Sequence, residues 1–220
     1  MYMIGNGTKT EYIFRFLKKL PYFCIDDILP VEKNKTYLII LLSRYAKSGK
    51  IIRLKKGLYT TKEYIEEMQK NDIYHSYLEF ISNILYPSSY LSLEYILSQN
   101  NIIPEFTTNF ISVTINKTKS FSNPLGNFFY HKIKKELFTG FDIYREGDFT
   151  ILKATKAKAL FDFLYFRKNI LVDGKSIEEL RLNLDVLGRK DIKELEKYIN
   201  LEGSRKMEDI LTHIIKLWKK

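Results

Sequence analysis

The sequence predicts an α+β protein, in which a basic helical module ending in a hairpin precedes a mixed domain with a small antiparallel sheet and several helices. Apolar residues recur at helical spacing through most of the first 100 residues, which indicates amphipathic helices. The period changes to two between Asn109 and Lys153, as in half-buried strands. The chain has 220 residues, 45% of them hydrophobic, which is enough to bury a core in one or two domains.

Positive charge is concentrated in the first quarter of the chain. Residues 1–60 contain 12 Lys and Arg against four Asp and Glu, a net charge of +8, whereas the whole chain carries +10. The remaining residues therefore add only +2 over nearly three times the length. Because a dense positive charge attracts anionic partners, we expect the first quarter of the chain to bind a polyanion.

The helices of this quarter are predicted from apolar spacing and from end signals. The segment Glu11–Leu20 has a helical apolar stripe and is stopped by Pro21. A short helical turn is expected within residues 24–30. A longer helix is predicted to begin after the N-cap residue Asn34 and to end before Gly49, which suits a left-handed C-terminal cap.

A hairpin is predicted to follow this helix. Its strands are Ile51–Leu54 and Leu58–Thr60, and Gly57 supplies the positive φ of the turn between them. The order of helix, short helix, helix and hairpin is that of a winged helix-turn-helix, in which the last helix enters the major groove of DNA. The sequence therefore predicts a DNA-binding module; solvated charges on a small helical cap are the alternative.

The predicted DNA-binding residues belong to this last helix and to the hairpin. They are Lys33, Lys35, Thr36, Tyr37, Arg44, Lys47, Lys50, Arg53, Lys55 and Lys56, with Gly57 as the wing turn. The basic side chains of the hairpin are assigned to phosphates or to the minor groove, because phosphate contacts supply most of the affinity for DNA. Several helix residues lie off the apolar stripe and are assigned to the base edges of the major groove.

The rest of the chain predicts a helical connector and a mixed domain. Helices are expected in 61–70, 74–85 and 92–103, strands in 109–117, 127–134, 142–146 and 149–153, and helices again in 154–167 and after the N-caps Ser176 and Ser204. Three or four antiparallel strands are expected, with residues 122–126 as the turn between the first two. The predicted domains are 1–62 for DNA binding, 63–89 as connector and 90–220 as the α+β domain.

Five sequence segments between Gly49 and Arg167 carry a family resemblance. They are GKIIRLKKGLYTT, SSYLSLEYILSQNNIIPE, TNFISVTINKTKSF, GNFFYHKIKKELFTGF and ILKATKAKALFDFLYFR. The most specific parts are Gly57-Leu58-Tyr59, the entry to the helix at Tyr90–Leu97, and Lys158, Ala159, Leu160 and Asp162. Together with the predicted winged helix, these segments resemble the AbiEi antitoxins of type IV toxin-antitoxin (abortive infection) systems, which are transcriptional regulators of viral defence.

The resemblance implies a protein with two functions. Its N-terminal winged helix would bind inverted repeats in double-stranded DNA at its own promoter and repress the operon. Its C-terminal domain would counteract a nucleotidyltransferase toxin of the AbiEii type, without forming a stable complex with the toxin. Whether the protein acts as a monomer or as a dimer is left open.

Two other functions compete with this interpretation. Asp142, Glu146, Asp148 and Lys153 could form a metal-dependent nuclease site, although their spacing lacks the E-x-K pattern of such sites. Alternatively, the apolar stripe of Met207–Trp218 could dock on a partner helix in a pure interaction module. The same stripe could simply cover the predicted sheet.

Neither an enzyme nor a cofactor is expected. The common nucleotide-binding glycine motifs are absent from the sequence, and none of the three histidines has a second metal ligand at suitable spacing. The longest apolar run, Tyr37–Leu42, is far shorter than the roughly 20 residues of a membrane span. One cysteine and no secretion signal favour a cytoplasmic protein.

Overall fold

The structure is a computed structural model that describes residues 8–219. These residues form two compact units: unit 1 comprises 8–78 with 123–125, and unit 2 comprises 79–122 with 126–219. Nine α-helices and eight strands within the described residues confirm the predicted α+β class. The ends of the predicted domains, residues 1–7 and 220, lie outside the described residues.

Unit 1 contains three complete helices and a hairpin, and its last helix continues into unit 2. The elements are α1 (Lys9–Leu17), α2 (Lys35–Lys47), β1 (Ile51–Lys55), β2 (Leu58–Thr61), α3 (Lys62–Lys70) and α4 (Tyr74–Leu85). The boundary between the units falls within α4. The short helical turn predicted within residues 24–30 is present as hydrogen-bonded turns, in which Ile28 N–H and Leu29 N–H donate to Ile25 O.

The core of unit 1 contains residues of α1, of α2, of the turns between these two helices and of the hairpin. Phe23 forms a β-bridge with Tyr59, with N–H···O distances of 2.8 and 2.9 Å, and the two rings stack with centroids 5.8 Å apart. The buried residues of this core cluster are Ile13, Leu17, Phe23, Ile28, Leu38, Leu41, Leu42 and Ile51. In the segment between α1 and α2, Phe23 therefore lies beside β2 of the hairpin.

Unit 2 contains a sheet and a group of C-terminal helices. Its elements after α4 are β3 (Ser89–Leu91), α5 (Leu93–Gln99), β4 (Phe110–Thr114), β5 (Lys119–Asn123), β6 (Gly126–Lys132), β7 (Phe141–Glu146), β8 (Phe149–Ala154), α6 (Lys156–Arg167), α7 (Gly174–Glu178), α8 (Arg189–Glu202) and α9 (Arg205–Trp218). Helix α6 is the most buried of them, with eight consecutive buried residues from Ala157 to Leu164.

The sheet differs from the small antiparallel sheet that the sequence predicts. It has six strands in the order β5-β6-β4-β3-β8-β7 and is mixed: β4 pairs parallel with β6, and β3 pairs parallel with β8. The prediction placed residues 122–126 between the first two strands, but this turn joins β5 to β6. The unpredicted β5 is the edge strand next to β6. The chain therefore reverses direction twice between β4 and β6, which makes these two neighbouring strands parallel.

The prediction that Ser176 caps a C-terminal helix is wrong. Ser176 does not cap a helix; it is the third residue of α7, whose N-cap Asp173 accepts a hydrogen bond from Ser176 N–H at 2.8 Å. Helix α8 was not predicted. Helix α9 begins after Ser204 as predicted, and its stripe residues Met207, Ile210 and Ile214 are buried against α6, α7 and α8. These three stripe residues are therefore part of the core of unit 2.

Candidate nucleic-acid interface

Helix α2 is the central element of the candidate interface, and local signals determine its ends. At the start, Asn34 Oδ1 accepts a hydrogen bond from Tyr37 N–H at 3.0 Å. At the end, Gly49 adopts the predicted left-handed conformation with φ of 73°. The residues that α2 buries are Leu38, Leu41 and Leu42. The opposite face of the helix is therefore turned to solvent.

Replacing Asn34 with alanine is expected to lower the free energy of unfolding of unit 1 by about 1 kcal/mol, because the variant loses the N-cap hydrogen bond of α2. Urea unfolding followed by circular dichroism measures this loss. Asn34→Ser is the matched control, because serine caps helices about as well as asparagine. Equal losses in the two variants would show that the cap hydrogen bond is not responsible.

The outward face of α2 brings two predicted residues together with two that were not predicted. Thr36, Ile40, Ser43 and Lys47 follow one another at intervals of four, three and four residues, so they form one line along the helix. All four are exposed. Arg44 is also exposed and lies next to this line. Helix α2 therefore presents hydroxyl, apolar and basic groups on the same surface.

Two of the predicted residues, Tyr37 of α2 and Lys50 beyond its end, contact residues of α1. The Tyr37 hydroxyl is 2.9 Å from Thr10 Oγ1 on α1, and 36% of its side chain remains exposed. The Lys50 ammonium lies over the rings of Tyr45 and Phe14, 5.4 and 6.0 Å from their centroids. Both residues therefore contact α1, although both remain exposed.

The hairpin carries its exposed charge on Arg53 and Lys56, whereas Lys55 is half-buried. The strand register is irregular between Arg53 and Lys55, so the two basic residues do not continue a regular ladder. Gly57 has a φ of 80°, as predicted for the turn. The hairpin tip is thus a tight turn beside exposed positive charge.

A crevice of about 430 Å³ lies between α2 and the hairpin. Its walls include Ile39, Ser43 and Lys47 from α2 and Arg53 and Tyr59 from the hairpin. No carboxylate is among its lining residues within the described part of the chain. The crevice therefore joins the outward face of α2 to the charged side of the hairpin in one concave, positively charged surface.

Three of the four acidic residues of unit 1 that precede α2 are held by local partners. Glu32 forms an ion pair with Lys9 at 2.6 Å, and the hydrogen bond from Lys9 lowers the pKa of Glu32. Asp27 Oδ2 accepts a hydrogen bond from Cys24 N–H at 2.7 Å, and Glu11 Oε2 accepts one from Thr8 N–H at 2.8 Å. These carboxylates therefore form an ion pair or accept backbone hydrogen bonds near the starts of helices and turns.

Like Ser43, the exposed Ile39 and Ile40 of this surface were not predicted as site residues from the sequence. Their side chains are 52% and 47% exposed on the outward face of α2. The available signal was their position, because both lie off the stripe of Leu38, Leu41 and Leu42 when the helix is drawn with 3.6 residues per turn.

The four residues of the nuclease alternative do not form one cluster, although Asp142 and Lys153 lie opposite each other in the antiparallel pairing of β7 with β8. Asp142 and Glu146 are four residues apart on β7, a distance of about 13 Å along an extended strand. Lys153 Nζ forms an ion pair with the buried Glu79 at 2.5 Å. Within residues 8–219, no three His, Cys, Asp or Glu side chains lie close enough to hold a metal ion. This geometry gives a metal-dependent nuclease site no support.

Comparison with known proteins found neither a protein-family model nor a curated protein that matches this chain. The structure itself shows an α+β protein in which unit 1 carries a basic surface formed by α2 and the hairpin. Among the described helices, none has the length and apolar character needed to cross a membrane.

Proposed function

We propose that the protein is a DNA-binding transcriptional repressor and that unit 1 is a winged helix-turn-helix. The supporting observation is the crevice in which the outward face of α2 and Arg53 of the hairpin border the same space. The order of α1, the Phe23 bridge, the turns, α2 and the hairpin is also that of a winged helix. Double-stranded DNA is the anionic ligand that such a surface fits best.

The dimensions and charges of this surface suit a DNA groove. Helix α2 has 13 residues and is about 20 Å long, and an α-helix fits the major groove, which is about 12 Å wide. Its outward face would meet the base edges, while Arg53 and Lys56 would contact phosphates beside the groove. Lys33 and Lys35, exposed at the start of α2, are placed to contact the backbone as well.

We also propose, from the family resemblance, that the protein represses its own operon and acts as an antitoxin of the AbiEi type. Unit 1 would bind inverted repeats at the promoter. The C-terminal part would counteract a nucleotidyltransferase toxin of the AbiEii type without a stable complex. The protein would act in the cytoplasm, without a cofactor and without enzymatic activity of its own.

Replacing Arg53 and Lys56 with alanine is expected to weaken binding to all DNA sequences and to make the salt dependence less steep. Each lost phosphate contact should reduce the slope of log K against log salt by about 0.9, so the double variant should lose about 1.8. The measurement is a gel-shift titration across a salt series. It compares the fragment upstream of the protein's own gene with a shuffled fragment of equal length.

The matched control for this experiment is the double variant Lys190→Ala with Lys193→Ala, which removes the same charge from exposed positions of α8. It should keep the slope and the affinity of the parent protein. An unchanged slope in the hairpin variant would remove the hairpin from the interface. Failure of the parent protein to prefer its upstream fragment would contradict the proposed repressor.

The hairpin variant also separates the two proposed activities. Because Arg53 and Lys56 belong to unit 1, the variant should lose repression of a reporter under its own promoter but still protect cells that express the neighbouring toxin gene. Loss of protection with normal protein levels would contradict the assignment of antitoxin activity to the C-terminal part.

A further inference from the structure

Two adjacent isoleucines occupy the middle of the surface that we propose enters the groove. Ile39 and Ile40 are about half exposed, although the residues around them on this face are hydroxyl-bearing or basic. They are not needed for the core, because α2 buries Leu38, Leu41 and Leu42 on its other side. Isoleucine also has a lower helix propensity than alanine, so helix stability does not explain its presence here.

Ile40 lies on the outward face of α2, whereas Ile39 lies on the side of α2 that borders the crevice. Ile40 lies in line with Thr36, Ser43 and Lys47 on the outward face. It is four residues after Thr36 and three before Ser43, so it neighbours both on the helix surface. Ile39 is turned towards the hairpin and lines the crevice that also contains Arg53. Together they form an apolar patch that is bordered by positive charge.

The partner of such a patch must be apolar at its centre and anionic at its edges. An apolar protein surface meets only the first requirement, because Lys47 and Arg53 beside the patch would then lose water without gaining an opposite charge. The major groove of DNA meets both. Phosphates lie along its edges, and thymine is the only base that presents an apolar group, the C5-methyl, on the groove floor.

We propose that Ile39 and Ile40 contact thymine methyl groups in the major groove, so that the DNA site bound by α2 contains thymines beneath these two residues. This inference rests on the proposed function of unit 1 and adds the base preference of the site. The basic residues supply affinity for any DNA, whereas the isoleucines distinguish thymine from the other bases.

The test replaces thymine by deoxyuridine in the fragment upstream of the protein's own gene. Deoxyuridine keeps every hydrogen-bonding group of thymine and lacks only the methyl group. We expect the parent protein to bind the deoxyuridine fragment about tenfold more weakly, as estimated from burial of two methyl groups. The double variant Ile39→Ala with Ile40→Ala should lose a similar factor on the thymine fragment and be nearly indifferent to the replacement.

The variants allow the cause of any change to be identified. The alanine variant keeps the fold because both side chains lie outside the core and alanine favours helices. Ile143→Ala is the matched control, since Ile143 is 64% exposed on β7 of unit 2. It should respond to deoxyuridine as the parent protein does. A general effect of deoxyuridine on DNA shape would affect all three proteins equally and would overturn the inference.

Other outcomes separate this inference from the proposed function. Equal, tight and selective binding of both fragments by the parent protein would overturn the methyl contacts and leave the repressor proposal intact. Absence of selective binding to the thymine fragment would overturn both. If sedimentation shows that the parent protein self-associates and the double alanine variant does not, the isoleucines contact a second copy and the inference is wrong.

Discussion

Replacing Lys158 with methionine is expected to lower the free energy of unfolding of unit 2 by about 3 to 5 kcal/mol, because the buried carboxylate of Asp162 would lose its counter-ion. Lys158 Nζ lies 2.7 Å from Asp162 Oδ1, and both side chains are fully buried on α6. Asp162→Asn should cost a comparable amount, since it leaves the ammonium without an opposite charge.

The surroundings of this pair explain why a single replacement is so costly. Lys158 also donates to Leu137 O at 2.8 Å, and Asp162 Oδ2 accepts hydrogen bonds from Ser92 at 2.8 Å and Tyr90 at 3.0 Å. Burial raises the pKa of Asp162 and lowers that of Lys158, so each charge depends on the other and on these hydrogen bonds. The pair thereby connects α6 to β3 and to the start of α5.

The double variant Lys158→Met with Asp162→Asn tests this explanation. It removes both charges, so its loss should be clearly smaller than the sum of the two single losses. The only tryptophan of the chain, Trp218, lies in unit 2 and donates to Leu187 O at 2.9 Å, so its fluorescence reports the unfolding of this unit in urea. Lys190→Met, at an exposed position, should change stability by less than about 0.5 kcal/mol. Additive losses would contradict the coupling.

The second large effect is expected for Gly140→Ala, which should destabilise unit 2 by about 2 to 4 kcal/mol. Gly140 has a φ of 77°, a conformation that costs an alanine about 1 kcal/mol or more. In addition, an alanine Cβ would overlap the Tyr198 hydroxyl and lie 3.0 Å from Lys158 Cγ. Tyr198 cannot easily move away, because its hydroxyl donates to Glu194 Oε1 at 2.5 Å.

Gly147→Ala separates the two causes. Gly147 also has a positive φ, 56°, but apart from its own neighbours in the chain no described atom lies within 4 Å of the position that an alanine Cβ would occupy. This variant should therefore show only the backbone cost, about 1 to 2 kcal/mol. Trp218 fluorescence in urea measures both variants. If Gly140→Ala and Gly147→Ala lose the same amount, the overlap with Tyr198 is relieved without cost.

The fold was predicted well where neighbouring residues decide the conformation. The start of α2 depends on the Asn34 side chain and its end on Gly49, and the hairpin turn depends on Gly57. These signals act over three or four residues, so they are visible in the sequence. The same holds for α9, which begins after Ser204 as predicted.

The sheet was predicted poorly because its order depends on contacts between distant segments. Strand β5 is a polar, largely exposed edge strand, and β3 has only three residues, so neither shows a clear alternation of apolar residues. Without β5, the segments β4 and β6 look like an antiparallel hairpin. The parallel pairing of β4 with β6 becomes apparent only when the position of β5 at the sheet edge is known.

The sequence by itself determined where the positive charge lies, which helix and hairpin carry it, and where these elements begin and end. Charge and capping depend on residue type and short spacing, so they can be inferred without tertiary contacts. Only the tertiary structure decided that Tyr37 and Lys50 pack towards α1, and that Ile39, Lys47 and Arg53 line one crevice. Packing determines which side chains remain accessible, because the same helix can turn any of its faces outward until the core fixes its rotation.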